Sequence, residues 1–229
     1  MNSKKIFNSR VKEVGKGFAL GISNEHIKNE PMFFNCDLEY AYEKGSVITR
    51  SFIDNLPEDW KSVDTVFDSR VHMLMPEWFP AIAGYHHDDV PRPPIKTGEH
   101  FITAGQPDYD NPRYLSEHLL GLVNADVSPT NFALGESTFS QIPYGEVIYR
   151  HWHKEVLEKL EAGELELFKA KDRTMYEFDW QTWHTAQEAV SHGWRWFGRL
   201  SRNTERTKNV TNEIRVNAQC YMKMPFEGW

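Results

Sequence analysis

The chain has 229 residues, of which 40% are hydrophobic and 14% aromatic. That is enough apolar surface for a buried core, at a length β-sandwiches and barrels reach without splitting. A formal net charge of −7 argues against whole-protein attraction to phosphate backbones, which shows as a basic face or a high domain pI. Cys36 and Cys220 are the only cysteines, too few for a disulfide framework or a cysteine metal cluster; no apolar stretch approaches the roughly 20 residues that cross a bilayer, and MNSKKIF lacks a signal-peptide pattern, so a reducing cytoplasm is the expected location.

No repeat, low-complexity tract or Gly/Ser linker marks a boundary, so a single domain over 1–229 is expected. Residues 1–62 mix short apolar runs with polar turns and read as an N-terminal extension packed on a core spanning 63–222. From Val63, VDTVFDSRVHMLMPEWF is rich in β-branched and aromatic residues and reads as a strand ended by Pro76. A turn-rich segment follows, from Pro80 through Pro91 to Pro94. Further strands are expected at Glu99–Thr103, Leu119–Asn124, Thr174–Trp180, Trp194–Ser201 and Glu213–Met222. Most do not alternate with helices, which favours a mainly β sandwich or barrel over a parallel α/β sheet. The clear helix is His151–Ala162: Trp152, Val156 and Leu160 recur every four positions, Glu155 and Lys159 make an i,i+4 pair, and Gly163 supplies a stop.

The sharpest local feature is Gly84-Tyr85-His86-His87-Asp88-Asp89. Side chains two apart on an extended segment share a face, so His-x-Asp can offer an imidazole and a carboxylate to one ion. His86 with Asp88 and His87 with Asp89 are overlapping versions. The first is preferred, because Tyr85 can pack and fix the ring and the second Asp is then left as an outer acceptor. A third ligand must come from a distant strand, and His184, after MYEFDW, fits; His192 is its rival. Two His and one carboxylate leave open positions for a chelating substrate and O₂, an arrangement associated with non-haem Fe(II) oxygenases rather than four-ligand structural zinc. In Trp194-Arg195-Trp196-Phe197-Gly198-Arg199-Leu200-Ser201, alternation puts Arg195, Phe197, Arg199 and Ser201 on one face. An arginine directed into a barrel is costly unless it meets an anion, and its fork matches a carboxylate. Either arginine can bind an oxoacid's distal carboxylate; Arg199 is favoured because Ser201 can add a hydroxyl.

The order His-x-Asp, a long interval, His, then Arg on the following strand resembles the iron(II)/2-oxoglutarate-dependent dioxygenases, over roughly Val63 to Met222. GYHHDD, HTAQEA and GWRWFGRLSR look like uncharacterised or phage-type members. The resemblance implies a double-stranded β-helix (a jelly-roll or cupin-like barrel) with a few flanking helices. It further implies Fe(II) on His86, Asp88 and His184, 2-oxoglutarate as cosubstrate held by Arg195 or Arg199 with Ser201, decarboxylation to succinate, and hydrogen abstraction from a prime substrate. The doubled HHDD and the two arginines depart from the pattern.

Competing readings remain. Gly145, His151, His153 and Glu158 resemble half of a cupin metal motif, which would make a metal-dependent isomerase or hydrolase, but they run into the helical pattern, where positions 151 and 153 diverge. A non-catalytic barrel that only binds a ligand is the other alternative. No nucleophile elbow or Gly-rich phosphate loop is present. A small-molecule substrate is expected. The basic stretch Arg195, Arg199, Arg202, Arg206 and Lys208, read first as solvated or paired charge, leaves a nucleotide or nucleic-acid base open.

Overall fold

A computed structural model describes residues 4–91, 107, 109, 115–140 and 148–222. In chain order these form β1 (Lys5–Ser9), β2 (Val11–Lys16), α1 (Asn24–Lys28), β3 (Met32–Phe34), α2 (Leu38–Lys44), α3 (Val47–Asp54), α4 (Glu58–Lys61), β4 (Thr65–Leu74) and β5 (Trp78–Phe79). After these come β6 (Glu117–Val123), β7 (Thr130–Phe139), α5 (Ile148–Glu161), β8 (Glu166–Lys169), β9 (Thr174–Asp179), β10 (Trp183–Ala186), β11 (Gly193–Arg202), β12 (Glu213–Arg215) and β13 (Tyr221–Met222). The protein is mainly β, with antiparallel sheets and a few short helices.

The larger sheet has five strands in the order β2-β9-β6-β11-β4; the smaller one joins β1, β7, β8 and β10. They face each other through aromatic rings. Phe132 on β7 meets Phe178 on β9 at 5.3 Å, and Phe168 on β8 meets Tyr176 at 5.4 Å. Behind the larger sheet, α1 to α4 cover a second apolar layer that includes Phe52, Phe67, Trp196 and Leu200. Behind the smaller one, α5 lays Trp152 and Val156 on Phe7, Phe139 and Trp183. The larger sheet is covered on two faces, which explains why its strands β4 and β6 are almost continuously buried rather than alternating.

The strands expected at 119–124, 174–180 and 194–201 correspond to β6, β9 and β11, and the one after Val63 to β4, which ends two residues before Pro76. The stretch expected as one strand at 213–222 is instead two short ones, β12 and β13, separated by Val216–Cys220. The strand expected at 99–103 lies outside the described residues. The N-terminal 62 residues do more than cover the core: β1 pairs with β7 and β2 with β9, so each sheet takes a strand from them. Helix α5 ends at Gly163 in the left-handed region, φ 74°, with Glu164 N donating to Lys159 O. The expected Glu155–Lys159 pair gives way to other partners: Lys159 reaches Glu164 Oε2 at 2.8 Å and Glu155 accepts from Ser140 N. No described helix is long and apolar enough to cross a membrane.

Candidate metal centre

One group of ligating side chains stands out among the described residues. Atoms of His86, Asp88 and His184 all lie within 4.8 Å of one another. The local backbone accounts for it. His86 and His184 exchange both backbone hydrogen bonds, at 3.1 and 3.3 Å, so they sit directly opposite on adjacent extended segments and their rings are 4.6 Å apart. Gly84, at φ 115°, supplies a turn that an L side chain rarely adopts, and its carbonyl meets His86 Nδ1 at 2.9 Å. His184 Nδ1 meets the Thr182 carbonyl at 2.9 Å in the same way.

A carbonyl only accepts, so each Nδ1 carries the proton. A neutral ring then presents a lone pair at Nε2. Both Nε2 atoms face Asp88, His184 at 3.0 Å from Oδ2 and His86 at 3.8 Å from Oδ1. Two lone pairs and a carboxylate share a space that needs positive charge, which is the donor set and tautomer of a metal centre with its rings held from behind. Burial pushes His86 down to about 4. Burial alone would raise the Asp88 carboxyl; the adjacent Arg199 guanidinium outweighs it and holds Asp88 well below the usual carboxylate range.

The neighbouring His87 and Asp89 go elsewhere. His87 stacks on Trp183 at 3.7 Å between ring centres and bonds through Nδ1 to the Tyr109 hydroxyl at 2.8 Å; Asp89, at φ 51°, pairs with Arg206 at 3.3 Å. His192 is exposed. His151, His153 and Glu158 lie on α5, where His153 Nδ1 accepts from Tyr85 N at 3.1 Å; Gly145 lies outside the described residues.

The site opens on a cavity of about 710 Å³ between the sheets. Arg195, Phe197 and Arg199 all line it from β11. The two arginines differ in what they already hold. Arg199 bonds Asp88 through Nη1 and Asp68 through Nη2 at 3.4 Å, and Ser201, expected to assist it, is bonded to His118 Nδ1 at 2.9 Å. Arg195 is 2% exposed, donates from Nε to Ser128 O at 2.7 Å and from Nη2 to Thr130 Oγ1 at 3.3 Å, and has no carboxylate partner among the described residues. Burial lowers its guanidinium to about 10. The alternation on β11 put both on one face and Ser201 favoured Arg199; partners from β4 and the His-x-Asp loop distinguish them.

Reasoning on the sequence passed over Asp68, Arg70 and His72. They alternate through β4 and stand opposite Arg199, Phe197 and Arg195. The signal was present, because TVFDSRVHML sets Asp68, Arg70 and His72 at every second position in the middle of a strand. Arg202 departs from the basic stretch: it lies over Trp60 at 4.1 Å and pairs with Glu117 and Asp59 on the helix side.

No protein-family model matches the chain, and no curated protein does. Among solved structures, crystal structures of EvdO2 from Micromonospora carbonacea var. aurantiaca, one of them complexed with 2-oxoglutarate, are similar at 9% identity with a TM-score of 0.32. The match covers 60% of this chain and about half, 51%, of theirs. A likeness of that size carries no argument about activity, which has to come from the site.

Proposed function

We propose that this chain is an Fe(II)- and 2-oxoglutarate-dependent oxygenase on a double-stranded β-helix, with His86, Asp88 and His184 as iron ligands and Arg195 as the anchor of the oxoacid's distal carboxylate. One observation carries the reading: the Nε2 atoms of two backbone-tethered imidazoles and a carboxylate converge on the wall of a cavity that also holds a buried guanidinium with no anionic partner among the described residues. Three protein ligands beside open space suit iron with exchangeable positions better than a closed structural zinc site. When bound, Fe(II) would supply O₂ activation coupled to oxidative decarboxylation of the oxoacid to succinate.

The chain's own residues do the positioning. Gly84 and Thr182 carbonyls fix both rings. Arg199 keeps Asp88 ionised and aims its carboxylate. Arg195 offers its remaining donors to a carboxylate in a nearly dry setting, where a two-point, charge-assisted contact is strongest. Phe178 and Phe197 line the same cavity and keep water from the substrate C–H bond, whose oxidation in its simplest form is hydroxylation of a small molecule.

Anaerobic addition of Fe(II) and 2-oxoglutarate should give the weak visible absorption of an oxoacid chelate. His184→Ala should abolish it, and Arg195→Met should require about a hundredfold more 2-oxoglutarate, the cost of deleting one partner of a buried charge pair. A wild-type protein without the band, or a band that survives His184→Ala, overturns the reading; turnover without O₂ would point to an isomerase or hydrolase instead.

A further inference from the structure

The cavity carries more positive charge than an iron ion and an oxoacid can use. Its described lining includes five arginines, at 70, 195, 199, 206 and 215, and three aspartates, at 68, 88 and 89. Among these described lining residues arginines outnumber aspartates by two, although Glu213 at 3.7 Å offsets part of Arg215, in a protein whose net charge is −7. A divalent cation and the dianion of an oxoacid cancel each other and leave that surplus untouched.

Three of the arginines gather in one place. Phe34, at the end of β3, has three guanidinium carbons around its ring: Arg215 at 3.6 Å from the ring centre, Arg70 at 5.7 Å and Arg206 at 5.9 Å. They reach it from three different parts of the chain: β12, β4, and the 3-10 turn Glu205–Lys208 that follows β11. Stacking on an aromatic face offsets part of the mutual repulsion and leaves guanidinium edges available to donate. Arg206 is held by Asp68 and Asp89. Arg70 bonds only backbone carbonyls, those of Phe33 and Ser69, and has no carboxylate partner among the described residues. Arg215 reaches Glu213 at 3.7 Å with a side chain 39% exposed, which places it at the rim while Arg195 lies at 2% exposure inside.

We infer that Arg70, Arg206 and Arg215 form an anion clamp for the prime substrate, which is a small phosphate monoester. The inference rests on the oxygenase reading and names its substrate class. Several guanidinium groups arriving from different directions suit the terminal oxygens of a phosphate, whereas a carboxylate is satisfied by a single fork. Of the three, Arg70 has no carboxylate partner among the described residues, which leaves positive charge in the clamp for a phosphate dianion. The cavity, about 710 Å³, falls within the range of small-molecule sites and has room for an oxoacid and a ring-sized substrate together. The clamp would hold the phosphate at the rim while the remainder of the molecule extends over Phe197 toward the His86, Asp88 and His184 group.

The test uses phenyl phosphate, benzoate and phenol as probes in calorimetric titrations of the full chain loaded with Mn²⁺ and 2-oxoglutarate. Phenyl phosphate should bind at least tenfold more tightly than benzoate, and phenol should not bind measurably. Arg215→Gln, at a partly exposed position outside the core, should weaken phenyl phosphate about tenfold, the loss of one charge-assisted contact, with the chelate band of the anaerobic Fe(II) protein unchanged. Arg195→Met should do the opposite, weakening 2-oxoglutarate and keeping phenyl phosphate. Phenyl phosphate affinity that is unchanged in Arg215→Gln, or that is lost in Arg195→Met alone, overturns the clamp, as does equal affinity for benzoate. Clamp behaviour in a protein that forms no chelate band supports the anion site and sinks the oxygenase reading, so the two failures are distinguishable.

Discussion

Arg199 is the residue on which the geometry of the site depends. It lies between Asp68 and Asp88 with its side chain 17% exposed, and theirs 7% and 22%. Removing one member of such a group leaves uncompensated buried charge, which costs about 3–5 kcal/mol. Arg199→Met should therefore lower the urea midpoint markedly and also weaken metal binding, because Asp88 loses what keeps it ionised and aimed. Arg199→Lys should recover part of the stability and little of the aim, since an ammonium lacks the fork. A variant of unchanged stability would mean that Asp68 and Asp88 are satisfied without it. The type and alternation of these residues were readable in the chain: Asp88 two places from His86, and Arg195 and Arg199 on one face of a strand. Occupancy was not readable, because Asp68 and Asp88 approach Arg199 from 131 and 111 residues away.

At the level of elements, Gly121 lets α3 approach the larger sheet closely, and Gly198 makes room for Trp196 on the same face. Gly121 on β6 and Gly198 on β11 are register partners. A methyl group at Gly121 would lie 2.7 Å from a Phe52 ring carbon, and one at Gly198 2.2 Å from the ring of Trp196. Gly121→Ala should thus cost about 1–3 kcal/mol by overpacking, read as a fall in Tm. Phe52→Leu in the same chain should recover part of it by making room. If Gly121→Ala were neutral, the helix layer would not be seated on this face as described. The element record also shows where local pattern runs out. β6 and β9 concentrate leucine and aromatic residues, and β11 alternates Trp, Phe and Leu with arginines, so all three were visible. β7 and β10 were not: TNFALGESTF mixes Asn, Gly, Glu and Ser into a ten-residue strand, and WHTA is too short to show a period. Both are extended because β1, β8 and β10 pair along β7, a decision made by partners rather than propensity.

Across the whole molecule, buried histidines tie stability to pH. Burial lowers His72 to about 3 and His118 to about 4, while the unfolded chain binds protons near the ordinary value of about 6.5. Their folded values are depressed, so the unfolded state takes up protons first, and stability is lost as pH falls from about 6.5 toward 4. The depressed carboxyl of Asp68 acts in the same direction at lower pH, contributing fully above about 4 and less as pH falls further. Urea midpoints should therefore drop between pH 6.5 and 4, and His72→Leu should shallow that fall; an unchanged slope would remove His72 from the account. By itself the sequence determined a β-rich chain and a set of ligand-type residues, because side-chain chemistry and period-two alternation are local properties of the string. Only tertiary structure decided which imidazoles share a space with Asp88, which arginine is already spoken for, and that three others meet around Phe34, because those facts depend on strands brought side by side from distant parts of the chain.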